Sequence, residues 1–171
     1  MAMRVLCTRL KPVSGWIFVR WNANWLWWSL GGFLLSVSGY NAVEAVTSTL
    51  LPAGVCQDAI LGRQAEQQGN WLAFGIGCIG PCLTAPAFEE VLYRGFLLPV
   101  LLDLVPLRAA IPMNALLFAL HHNSIPGFIP LSFLGLLWCF LYAASQNLLV
   151  TILVHAMWNV RVLFIGLPWA R

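Results

Sequence analysis

The chain has 171 residues, 60% of them hydrophobic and only 9% charged, with nine Trp, a formal charge of +3 and a mean hydropathy of +0.81. A soluble domain cannot cover that much apolar surface, and strand-type alternation is absent, so the composition points to an all-α integral membrane bundle. The basic residues are scattered apart from a cluster before residue 21, and nothing in the charge pattern suggests a nucleic-acid partner.

Residues 1–24 contain Arg4, Arg9, Lys11 and Arg20 and no acidic residue; the first carboxylate is Glu44. This suits the basic flank of a first span under the positive-inside rule, and it equally suits an organelle transit peptide. Plasma membrane, endoplasmic reticulum and chloroplast membrane therefore all stay open. Residues 25–51 form the first predicted span, opened by an interfacial cluster of Trp25, Trp27 and Trp28. Residues 52–70, with Asp58, Arg63, Glu66, Gln67 and Gln68, read as an extramembrane loop.

Residues 71–102 exceed the roughly 20 residues that one span requires and are interrupted by Pro81, Pro86 and Pro99. They predict either one tilted, kinked helix or two pieces meeting near Pro86, where a proline frees backbone carbonyls. A connection over 103–108 leads to a helix over 111–122 and a turn at Pro126 and Gly127. Two more spans, 128–144 and 148–167, are joined closely enough to be antiparallel neighbours. The expectation is about five transmembrane segments. Residues 1–70 comprise the basic segment, first helix and loop, and 71–171 a membrane core. The cysteines, Cys7, Cys56, Cys78, Cys82 and Cys139, are expected to pack as small hydrophobes.

Three apolar helices carry the ionisable groups. Glu89, Glu90 and Arg94 lie in the second predicted span, and a charge in mid-membrane costs roughly 2.5–3.5 kcal/mol on insertion scales, so such groups face protein or a wet cavity. Glu90 and Arg94 are four apart on one helix ridge, which predicts an ion pair and leaves Glu89 freer. A pair that only locks packing is the plain alternative. The next helix ends in Phe118 and His122, and the last carries His155 and Asn159, again four apart. A desolvated carboxylate such as Glu89 can take a proton from water with His122 as its partner, and His155 with Asn159 can donate to a developing oxyanion. His121 competes with His122 but is turned about 100° from the Phe118 face. Glu89, His122 and His155 could instead ligate zinc, although no H-E-x-x-H pair is present.

Glu89-Glu90-x-x-x-Arg94, Phe118-x-x-x-His122 and His155-x-x-x-Asn159, in this order, resemble the motifs of the CPBP family of intramembrane proteases. That family includes the CAAX prenyl endopeptidases and the bacterial Abi proteins linked to bacteriocin self-immunity. The resemblance covers about residues 75–167. It implies an endopeptidase that cuts a membrane-associated protein, with prenylated CAAX proteins as one candidate class, without a metal cofactor. Glu89 and His122 would activate water, His155 and Asn159 would form the oxyanion site, and Glu90, Arg94 and Phe118 would order the cavity. The chain has fewer spans than the larger prenyl endopeptidases, which puts the prenyl grip in question. Two other functions fit the residues: a non-proteolytic scaffold retaining the cavity, and a small transporter using the charged groups as an ion path.

Overall fold

A computed structural model describes residues 19–21, 24–49 and 69–165. The described residues form five helices and no strand: α1 (Trp25–Thr47), α2 (Trp71–Leu104), α3 (Leu107–His121), α4 (Phe128–Ser145) and α5 (Leu148–Ile165). The chain is all-α, as its composition requires. Most of the basic segment and of the polar loop, with Cys7 and Cys56, lie outside the described residues. By length and composition α2 and α4 can each cross a membrane, whereas α3 and the stretch Leu148–Leu163 of α5 are apolar but shorter. At 23 residues α1 is long enough to span, but Ser29, Ser36, Ser38, Asn41 and Glu44 dilute it. Its serine hydroxyls donate back to carbonyls one turn earlier, at 2.8 Å from Ser29, 2.7 Å from Ser36 and 2.7 Å from Ser38.

Helix α2 is one continuous rod with two wide, five-residue-bonded turns, not two pieces. Gly80–Thr84 and Val91–Leu97 are π-helical and flank the short α-helical stretch Ala85–Glu90. In the first, the Ala85 N–H donates to the Gly80 carbonyl; in the second, the Leu98 N–H donates to the Tyr93 carbonyl. Proline accounts for part of this, because a ring without an N–H cannot continue an α-turn and a wider turn relieves the clash with the preceding carbonyl. Pro81 opens the first wide turn, Pro86 follows it, and Pro99 follows the second.

The expected connection over 103–108 is shorter than predicted. Only Val105 and Pro106 separate α2 from α3, because Pro106 holds an extended backbone (φ −64°, ψ 152°) and Leu107 starts the next helix, so Arg108 falls in its first turn. The first helix likewise ends at Thr47, earlier than 51.

Helix α4 packs against α1, α3 and α5. Small residues make the close approaches. A Cβ on Gly135 would meet the Ala115 Cα at 2.9 Å, and one on Gly32 would meet Leu141 Cδ2 at 2.6 Å. Two buried clusters result. One gathers Leu98, Leu101, Leu107, Ile111 and Leu148; the other gathers Tyr93, Phe118, Leu134, Trp138, Val154 and Trp158, and the charged residues sit beside the second.

Candidate active site

Helices α2, α3 and α5 bring the charged groups to one place, and α4 walls it. Glu90 and Arg94 are both fully buried, and the guanidinium donates from Nη1 to Glu90 Oε1 at 2.8 Å, the pair that their four-residue spacing predicts. Arg94 Nη2 donates to the Gly135 carbonyl at 3.2 Å, which the close approach at Gly135 makes reachable. Aromatic faces enclose the cation: Phe118 lies 4.9 Å and Trp138 5.5 Å from its Cζ. Glu90 Oε1 also meets His155 Nδ1 at 3.0 Å. The His155 ring lies 4.4 Å from the Trp138 ring, so packing and a carboxylate together fix its orientation.

Glu89 projects beside this pair with its side chain 14% exposed. Its Oε2 is buried, makes no hydrogen bond, and lies 3.9 Å from His122 Nε2 and 4.0 Å from His155 Nε2. Both distances are too long for a direct hydrogen bond and have the length that one bridging water would span. The other nitrogen of each imidazole is already engaged. His122 Nδ1 lies 2.8 Å from the Phe118 carbonyl, which can only accept, so Nδ1 carries the hydrogen and a neutral His122 turns a lone pair toward Glu89. His155, holding its Nδ1 hydrogen against Glu90, does the same.

Of the residues singled out from sequence, Glu89, Glu90, Arg94, Phe118, His122 and His155 thus come together. Asn159 is placed differently: its Nδ2 donates to the Pro81 carbonyl at 2.7 Å, in the first wide turn of α2. In the wide-turn register that carbonyl's own donor would be residue 86, a proline without an N–H. Asn159 supplies what Pro86 withholds.

His121 lies 6.1 Å from the Tyr93 ring and 5.8 Å from the His122 ring. Glu89, His121 and His122 each bring one possible ligand atom within 4.8 Å of the others. The donor types suit zinc, yet the Glu89–His122 edge of 3.9 Å is wider than the roughly 3.3 Å edge of a tetrahedron with bonds of about 2.0–2.1 Å, so the set closes on an ion only if side chains move. Sequence reasoning missed Trp138, Gly135 and Asn114. For Asn114 a signal existed: a carboxamide in an apolar helix, four residues before Phe118 and eight before His122 on the same ridge.

A helical membrane protein with a buried carboxylate facing two oriented imidazoles is the kind of molecule these features define. More particularly, a family model described as type II CAAX prenyl endopeptidase Rce1-like matches residues 70–161, just over half of the chain, and the chain belongs to that family. It is a membrane protein of a protease family whose substrates are proteins. Neither the curated proteins nor the solved structures gave a match.

Proposed function

We propose that the protein is an intramembrane endopeptidase that hydrolyses a peptide bond of a membrane-associated, CAAX-type protein with water activated by Glu89. The observation that carries this reading is the buried, unpartnered Oε2 of Glu89 between two imidazole Nε2 atoms whose partner nitrogens are occupied. Three acceptors converging on one point suit a water that gives up a hydrogen. Glu89, with His122 beside it, takes the proton while the water oxygen bonds to the scissile carbonyl carbon. As the C–N bond breaks, the leaving amine takes a proton back from the same groups.

The neutral cluster has few donors, which bears on the oxyanion. His155 donates from Nε2 only when it carries a second proton. We assign it to the developing oxyanion in that state. One Asn159 N–H is committed to Pro81, which leaves its second amide hydrogen for any direct role. Zinc held by Glu89, His121 and His122 would supply Lewis-acid chemistry instead; in the proposed mechanism the side chains act alone.

The test compares newly formed protein N-termini in membranes containing wild-type chain or Glu89→Gln at equal abundance. Products that appear only with wild type support the assignment, and their sequences give the substrate class. Identical profiles from the two chains would overturn it and favour a scaffold that keeps the cavity.

A further inference from the structure

Asn114 is fully buried in the middle of α3, an expensive place for a carboxamide unless it is engaged at both ends. It is: Nδ2 donates to the Tyr93 carbonyl at 2.7 Å, and Oδ1 accepts from Cys139 Sγ at 3.2 Å. The Tyr93 carbonyl is also the acceptor of the Leu98 N–H, the bond that closes the wide stretch Val91–Leu97 at its C-terminal end. In an ordinary α-turn it would take the Leu97 N–H instead. The amide therefore reaches in from another helix to the carbonyl at which the wide stretch closes. Asn159 makes the corresponding contact with the other wide turn, so the stretch carrying Glu89 and Glu90 is held at both ends.

A wide turn contains one residue more than the α-turn it replaces, and closing it rotates the helix on its far side by one position, about 100°. Buried Leu98 and Leu101 anchor the C-terminal side. Glu89 would then take the direction now held by Phe88, which is 67% exposed, and Glu90 would move into the place of Glu89. Two adjacent carboxylates make this register decisive, because either register presents one of them to the histidines. We propose that Asn114 is a positioning residue that locks the wide register, so that Glu89 and not Glu90 faces the Nε2 atoms of His122 and His155, while Glu90 stays on His155 Nδ1. The catalytic half of this inference rests on the protease reading; the register itself does not.

The test uses the full chain in lipid vesicles and dicyclohexylcarbodiimide, which attaches to carboxyl groups in apolar surroundings by adding their O–H across its C=N bond. Mass spectrometry of the labelled peptide separates Glu89 from Glu90. Asn114→Leu removes the donor and keeps the branching at Cγ. Glu89 labelling is expected to rise several-fold as the side chain turns to lipid, and kcat to fall about a hundredfold at unchanged KM, the scale of a misplaced reacting group. Cys139→Ala, which releases Oδ1 and loosens the amide, shifts labelling the same way by less, and Cys139→Ser keeps the wild-type pattern. Unchanged labelling in a folded Asn114→Leu chain overturns the lock; if that chain does not insert, unchanged labelling in Cys139→Ala does so. Labelling needs no substrate, so it decides the register even where Glu89→Gln leaves cleavage intact, a result that would sink the protease reading alone.

Discussion

At the scale of single residues, Arg94 connects stability to chemistry. Its guanidinium is fully buried, balances Glu90, and through Glu90 sets the His155 imidazole. Removing one partner of a buried pair strands the other, at about 3–5 kcal/mol, whereas replacing both with apolar residues is often close to neutral. Arg94→Met is therefore expected to lower thermal stability sharply, and Glu90→Leu with Arg94→Met to recover most of that loss. The double variant should still cleave poorly, because His155 has lost the carboxylate that orients it. Melting and cleavage measured on the same preparations check this, and recovery of both together would show that the pair only packs. His121 offers a second residue-scale test. If the side chains act without a metal, cleavage persists after exhaustive chelation and in His121→Ala; loss of cleavage in both, restored by added zinc to the chelated wild type, would place an ion at Glu89.

At the scale of the element, α2 is where proline, backbone and side chains from other helices meet. Pro86 leaves the Pro81 carbonyl without its wide-turn donor, and Asn159 fills the gap at 2.7 Å. An unsatisfied buried carbonyl costs about 1–3 kcal/mol, so Asn159→Ala should destabilise by that amount. Restoring the missing N–H with Pro86→Ala should remove most of the penalty. A double-mutant cycle on melting temperature measures the coupling, and strict additivity of the two changes would refute it. This element also marks the limit of what could be read in advance. Four-residue spacing was enough to pair Glu90 with Arg94, because that contact depends on local helix geometry alone. Five apolar segments were legible for the same reason, with ends that slipped by a few residues where Pro106 and Thr47 set the stops. The wide turns were not legible: apolar periodicity barely changes when one residue is added to a turn, and three prolines admit a kink, a break or a widening. Asn159 was paired with His155 on the assumption of a shared face, but its partner is a carbonyl that only the wide register leaves open. The approach of Glu89 to both imidazoles depends on how three helices pack, which no single segment encodes.

At the scale of the whole molecule, the distribution of burial says what surrounds the bundle. Only 6% of the most apolar window of Trp71–Leu104 is buried inside the protein, against 44% for Phe128–Ser145. The first nine residues of α2 bury nothing, and Trp71, Leu72, Ile76, Ile79 and Leu83 all stand exposed. Water would penalise that surface by roughly 25 cal/mol for each Å², so hydrocarbon is the medium in which it is stable. Helix α4, walled in by three neighbours, hides Leu134, Trp138 and Cys139 completely or nearly so. A photoactivated carbene confined to the bilayer should therefore label the stretch from Trp71 to Leu83 heavily and Trp138 and Cys139 scarcely at all. Glu89 stands between these extremes, 14% exposed and one residue from Phe88 on the outer surface, which places its carboxylate a single helix position from the surrounding medium. Under the proposed mechanism a substrate anchored in the same bilayer approaches Glu89 from the side, and carbene labelling of Phe88 should fall when such a substrate is added to Glu89→Gln chain, the variant expected to bind without cutting. Labelling of Phe88 that stays constant at saturating substrate would mean that access lies on another face of the bundle.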